Sequence, residues 1–199
     1  GDQYTDSSGY YEFPLSEDRD DLVVWIRSVS PQPYFPEIYQ DLACTDGVCD
    51  ADEILLGTSI DTTTGNKVAD MSLTKSASIS GTLSRSAPAG LLGNREGRAR
   101  LYRQGETALL SLAYTDANGY YLLGALDPGN YYLRLSGIPN LIDELYDAAN
   151  GIVCPGLFCD KSSVHIFTIT GTEDITSIDA TLDVGTQFSG HVSENGVPL

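Results

Sequence analysis

Thr115-Asp116-Ala117-Asn118-Gly119-Tyr120-Tyr121 is the stretch whose reading decides the fold. An aspartate at the head of such a segment can accept hydrogen bonds from backbone a few residues on, and the glycine can take a positive φ, so the segment reads as a tight turn. The paired tyrosines then begin a strand, one facing inward and one outward. The same words stand earlier, as Thr5-Asp6-Ser7-Ser8-Gly9-Tyr10-Tyr11. A second pair follows at the same offset of 110 residues: Cys44-x4-Cys49-Asp50 returns as Cys154-x4-Cys159-Asp160 (44 against 154). A period that long is one whole small domain rather than one turn of a solenoid. The chain therefore reads as an array of similar modules.

The match extends outward from these anchors. Trp25-Ile26-Arg27 aligns with Tyr132-Leu133-Arg134, and Pro36-Glu37-Ile38-Tyr39 with Asp143-Glu144-Leu145-Tyr146, both at 107 (25 against 132, 36 against 143). Ile79-Ser80-Gly81 aligns with Phe188-Ser189-Gly190 at 109 (79 against 188). Three extra residues are placed near Glu17-Asp18-Arg19 and recovered near Ala148-Ala149-Asn150, where loops absorb them. The phase gives a partial first repeat over 1–75 lacking its initial strands, a complete repeat over 76–184, and the first strand of a further repeat over 185–199. Phe188, Gly190 and Val192 are the residues expected to pair between modules, either along one longer covalent array or by donation of the tail strand to another copy.

The local pattern is β throughout. Leu22, Val24 and Ile26 alternate with Val23, Trp25 and Arg27, and Ile178, Ala180 and Leu182 with Asp179, Thr181 and Asp183. Turn signals such as Asp127-Pro128-Gly129-Asn130 divide the runs. Strands are expected near 78–84, 97–103, 108–115, 119–125, 130–136, 163–170 and 177–183. Their number and spacing predict an all-β chain of tandem antiparallel Greek-key sandwiches, transthyretin- or immunoglobulin-like. Leu141, Ile142 and Leu145 are spaced for a short helical turn over 141–147, just before the second cysteine pair.

Composition bounds the function. A net charge of −17 argues against nucleic acid and acidic membrane surfaces as partners. No run approaches the ~20 apolar residues of a membrane span. Five of the eleven basic residues are Arg85, Arg95, Arg98, Arg100 and Arg103, read as a solvated strand face balancing local acid. Cys44 with Cys49 and Cys154 with Cys159 are the obvious disulfides, each closing a ring worth roughly 2 kcal/mol by chain-entropy arguments. Such bonds belong to oxidising compartments. A four-thiolate zinc site is disfavoured, since the pairs lie in separate modules with x4 spacing and no histidine beside them.

The catalytic readings are weak. His165 and His191 form no metal-spaced pair, and no Gly-x-Ser-x-Gly elbow or phosphate loop appears. No metal site and no cofactor are expected. Weak calcium binding at acidic turns stays open, because Asp116-x-Asn118-Gly119 is shorter than a calcium loop and the Glu17, Asp18, Asp20, Asp21 cluster reads as solvated.

Ile79-Ser80-Gly81-Thr82-Leu83, Thr115-Asp116-x-x-Gly119-Tyr120-Tyr121 and Leu126-Asp127-Pro128-Gly129-x-Tyr131-Tyr132 resemble carboxypeptidase regulatory-like repeats. These have a transthyretin-like sandwich and are related to collagen-adhesin B-type modules. Leu145-Tyr146-Asp147 followed by the second cysteine loop resembles a subset in long secreted bacterial arrays. The resemblance implies extracellular spacing, display or adhesion. Some relatives carry a Lys–Asn crosslink, but Lys67, Lys75 and Lys161 do not begin a core-facing first strand.

Three function classes fit these observations. The first is a non-catalytic extracellular stalk or filament whose partners are neighbouring repeats or other copies. The second is an adhesin or carbohydrate-binding module that meets a glycan or host surface through exposed aromatics, with Trp25, Tyr34, Tyr146 and Phe158 as recognition candidates. The third is an accessory domain beside an enzyme outside this stretch. The location expected is secreted or cell-surface, in a bacterium.

Overall fold

The computed structural model describes residues 2–28, 33–44, 49–138, 140–148, 151–154, 159–186, 192–194 and 197–198, with the side chains of 194, 197 and 198 left aside. The chain divides into two compact units. Unit 1 comprises Gly1–Arg27 and Pro36–Leu73, and unit 2 comprises Ser28–Phe35 and Thr74–Leu199. Residues 28–35, read from sequence with the first repeat, therefore belong to unit 2.

Unit 1 contains β1 (Trp25–Ile26), β2 (Glu37–Ile38) and β3 (Leu42–Ala43), paired in that order as an antiparallel sheet, then α1 (Ala51–Ile54). Helix α1 begins just after Cys49 and is held by a capping box. The Asp50 side chain accepts from the Glu53 N–H, and the Glu53 carboxylate accepts from the Asp50 N–H.

Unit 2 is an all-β sandwich. Its strands are β4 (Ala77–Arg85), β5 (Gly90–Leu91), β6 (Gly97–Arg103), β7 (Ser111–Tyr114), β8 (Tyr120–Leu126), β9 (Gly129–Gly137), β10 (Glu144–Leu145), β11 (Ile152–Val153), β12 (Phe167–Ile169), β13 (Asp174–Ile175) and β14 (Ala180–Leu182). A last hairpin joins β15 (Ser193–Glu194) to β16 (Val197–Pro198). In one sheet β4 is central, antiparallel to β5 and β8 and parallel to β13 and β14. The other sheet runs β11-β10-β9-β6-β7, with β12 also on β9. Alternation along β4, β6, β8 and β9 turns Ile79, Leu83, Ala99, Leu101, Leu123, Leu133 and Leu135 into one fully buried core. Each such leucine or isoleucine contributes about 1.5–3 kcal/mol by leaving water.

Several expectations are corrected. No helical turn forms over 141–147. Leu141 bridges Val184, and Glu144–Leu145 lies in register between Leu135–Arg134 and Val153–Ile152. The apolar spacing that looked helical joins two separate extended pieces, and the Asp143 carbonyl is occupied by the Cys154 N–H at 2.8 Å. The expected strand over 177–183 forms only as β14, Ala180–Leu182, and Ser177 at φ 62 separates it from β13. Both of those strands run parallel to β4, against the antiparallel expectation. The ladder also moves one alignment. Trp25 pairs with Ile38 as Arg134 pairs with Leu145, so Trp25 corresponds to Arg134 (25 against 134) and not to Tyr132.

Candidate functional site

The backbone of the Asp-headed turn takes the same form in both units. In unit 2 the Asp116 carboxylate accepts from the Asn118 and Tyr120 N–H groups, while Asp116 N–H donates to the Tyr120 carbonyl. In unit 1 Asp6 accepts from Ser8 and Tyr10, and Asp6 N–H donates to the Tyr10 carbonyl. These bonds, those from Ser8 first, hold the Asp6 carboxyl below the usual carboxylate range. Gly119 and Gly9 close the turns at φ 73 and 84.

Beyond the turn the two units differ. In unit 2, β8 leads away from Gly119 and pairs with β4, whose far side meets β13 and β14. Tyr121 reaches across β4, its Oη donating to the Ile178 carbonyl at 2.8 Å, and burial pushes this phenol well above its ordinary range. Beneath that bridge β4 has Gly81, where any Cβ would collide with the Ile178 backbone. On either side the Leu83 N–H donates to the Gly119 carbonyl, and the Thr82 N–H to the Asp179 carboxylate at 2.7 Å.

Unit 1 has the same walls. Tyr11 Oη donates to the Ala69 carbonyl, as Tyr121 does to Ile178. Asp70 follows Ala69 as Asp179 follows Ile178. Between these walls, among the described residues, no strand is present. Residues 11–16 and 67–73 are unassigned to any ladder, and none of their backbone groups is in a backbone–backbone bond with a described residue. A Cβ built on Gly119 would meet the Leu83 carbonyl and Leu91, whereas one on Gly9 meets nothing within 4 Å. Phe13, at the place of Leu123, is 37% exposed against 1%. Tyr10 and Val68 are 62% and 79% exposed. Among the described residues, unit 1 thus presents an open strand position, lined by apolar groups and by backbone outside any ladder.

Compared with known proteins, the chain matches no family model and no curated protein. Its own geometry therefore carries the functional reading.

Both expected disulfides are formed, Cys44–Cys49 and Cys154–Cys159. They place the chain in an oxidising environment. The ring residues 45–48 and 155–158 lie outside the described residues, and Phe158 with them. On β10 Glu144 is buried. Gly151, at φ 75, lets the loop close over it, since a Cβ there would strike the Glu144 carboxylate. Burial first, then the charges of Asp183 and Asp147, raise this carboxyl to about 7, against a lowering bond from the Asp183 backbone. Glu37 is buried at the matching place in β2.

The described recognition candidates are divided between the two units. Trp25 is 37% exposed on unit 1, with the Arg27 guanidinium 5.8 Å over its ring. Tyr34 is half-buried in unit 2 and its backbone bridges Lys75. Tyr146 packs on Phe167 at 5.6 Å and on His165 at 5.8 Å, which makes it part of the sandwich wall. Of the strand-pairing residues, Val192 is exposed, while Phe188 and Gly190 lie outside the described residues. The arginine face is more engaged than a solvated strand. Arg95 and Arg98 stack over Tyr114 at 3.9 and 5.6 Å, and Arg100 donates to Ser136 Oγ. Lys75 pairs with Asp174, and Lys161 donates to Tyr132 Oη at 2.6 Å.

Sequence reasoning did not single out Asp70 with Asp179, or Glu37 with Glu144, as candidate site residues. Both were legible as acids kept at matching places in the two copies.

Proposed function

We propose that this chain is a non-catalytic extracellular structural protein, an array of sandwich repeats that builds a surface stalk or filament. One observation carries the reading: the two copies of the sequence repeat reuse the same hydrogen bonds, not merely similar residues. The Asp-headed turn is one case. The tyrosine bridge, Tyr11 to Ala69 and Tyr121 to Ile178, is a second. The entry to the cysteine ring, Cys44 N–H to the Pro36 carbonyl and Cys154 N–H to the Asp143 carbonyl, is a third. A fourth joins residues 33–35 to 74–76 as residues 140–142 join 183–185, each through two backbone bonds around a bridge. What recurs is the machinery that shapes and staples a sandwich, and repetition of scaffold supplies length or valency.

The disulfides support secretion, and the likeness to carboxypeptidase regulatory-like repeats supports a bacterial surface. Partners in this reading are neighbouring repeats or other copies of the chain. Electron microscopy of the native material, beside its mass under denaturing conditions, tests it. Filaments or stalks with an axial repeat of one or two modules are expected, and dispersed particles without axial repeat would refute it. The exposure of Trp25 favours a second reading, an adhesin, which saturable binding on a glycan array would support.

A further inference from the structure

The geometry points to the open strand position of unit 1 as the acceptor for residues 187–193 of a second copy of this chain. The inference deepens the array reading and rests on it, by naming the partner and the bonds.

The occupant is identified by register. In unit 2 this position is held by Ile79-Ser80-Gly81-Thr82-Leu83-Ser84, and the tail carries Phe188-Ser189-Gly190-His191-Val192-Ser193. The inward set Ile79, Gly81 and Leu83 becomes Phe188, Gly190 and Val192, apolar on either side of a glycine. That glycine is the demanding element. The Tyr11–Ala69 bridge already fixes the walls as Tyr121–Ile178 fixes those of unit 2, where the crossing residue has no room for a Cβ. Beyond β4 the match continues. β4 turns back into β5 through Ser84↔Leu91 and Arg85↔Gly90, and β15 turns back into β16 through Ser193↔Pro198 and Glu194↔Val197.

The same overlay names the bonds. The His191 N–H takes the part of Thr82 and donates to Asp70. The Val192 N–H takes the part of Leu83 and donates to the Gly9 carbonyl. The Ala69 N–H donates to the Ser189 carbonyl, as Ile178 does to Ser80. Strand addition of this kind gains main-chain bonds along an edge and apolar burial on alternate side chains. Here it covers Phe13 and fills the space beside Gly9. The segment closes one sheet of unit 1. The place beside Trp25–Ile26 that β6 holds in unit 2 is not supplied by it.

The test uses the full oxidised chain and a labelled peptide of residues 185–199. Wild-type chain should self-associate in sedimentation velocity, its mass rising with concentration. Gly190→Val should remain at the monomer mass with an unchanged circular dichroism spectrum. Its acceptor position is intact, so the wild-type peptide should bind it saturably, and a peptide carrying Gly190→Val at least tenfold more weakly. Failure of the wild-type peptide to bind, or equal binding of both peptides, overturns the inference. So does a monomeric wild-type chain whose Gly190→Val form binds peptide, since the strand is then taken from the same copy. If the peptide fails while native material shows an axial repeat, the array reading stands on covalent continuity and this inference alone falls. If native material shows no axial repeat, the array reading falls whatever the peptide does.

Discussion

Replacing Glu144 by Gln should make unit 2 more stable above neutral pH and change it little in mild acid. The carboxyl sits in β10 under Gly151, near Asp183 and Asp147, and is raised from 4.5 to about 7 chiefly by burial. A carboxyl raised in this way holds its proton more tightly folded than unfolded. Stability is therefore lost as pH climbs from the unfolded value through the folded one, and nothing is lost below it. The shift corresponds to roughly 3 kcal/mol as a ceiling at pH 8, and relaxation of the loop and water entry reduce the realised figure to about 1–3 kcal/mol. Glutamine keeps the shape and has no charge to bury, so the gain should appear at pH 8 and vanish near pH 4.5. Hydrogen exchange at Leu133 and Leu135, in the strand beside Glu144, reads unit 2 separately from unit 1. The difference between wild type and Glu144→Gln, followed across pH, removes the contribution of the other acids. A difference that is flat from pH 4.5 to 8 would refute the reasoning.

Tyr121→Phe removes the buried bond to the Ile178 carbonyl and should cost unit 2 about 1–2 kcal/mol in the same exchange assay. Asp116→Ala leaves two turn N–H groups without their acceptor and should cost about 1 kcal/mol, visible as faster exchange at Tyr120. Replacing Cys154 and Cys159 together by serine should cost about 2 kcal/mol and loosen Ile152 and Val153 while leaving the β4–β8 ladder protected, as mapped by exchange.

The turn, the cysteine rings and the alternating strands were legible because each depends on residues close in sequence. Asp116 and Gly119 carry their turn conformation locally, and Cys154 and Cys159 stand five residues apart. The parts that were not legible depend on distant partners. Leu141-Ile142-Asp143-Glu144-Leu145 looks helical until Leu141 meets Val184 and Glu144 enters the ladder beside Leu135. The shift of Trp25 from Tyr132 to Arg134 is a two-residue slip, which preserves the in–out alternation and so leaves no trace in the apolar pattern. The open position in unit 1 was legible only through the repeat, since the first copy aligns without the initial strands of the second; that residues 11–16 and 67–73 form its walls depends on distant partners and left no local pattern.

The path of the chain between units has a mechanical meaning. It passes from unit 1 to unit 2 after Arg27, returns at Pro36, and leaves again after Leu73. A protease that nicks the backbone between residues 49 and 60 would leave each resulting fragment with a portion in both units, the first still carrying residues 33–35 bonded to 74–76 of the second. Such a nicked molecule should migrate as two bands when denatured and as one particle when native. Each fragment thus keeps a share of both units, and severing a single peptide bond there does not part the two fragments.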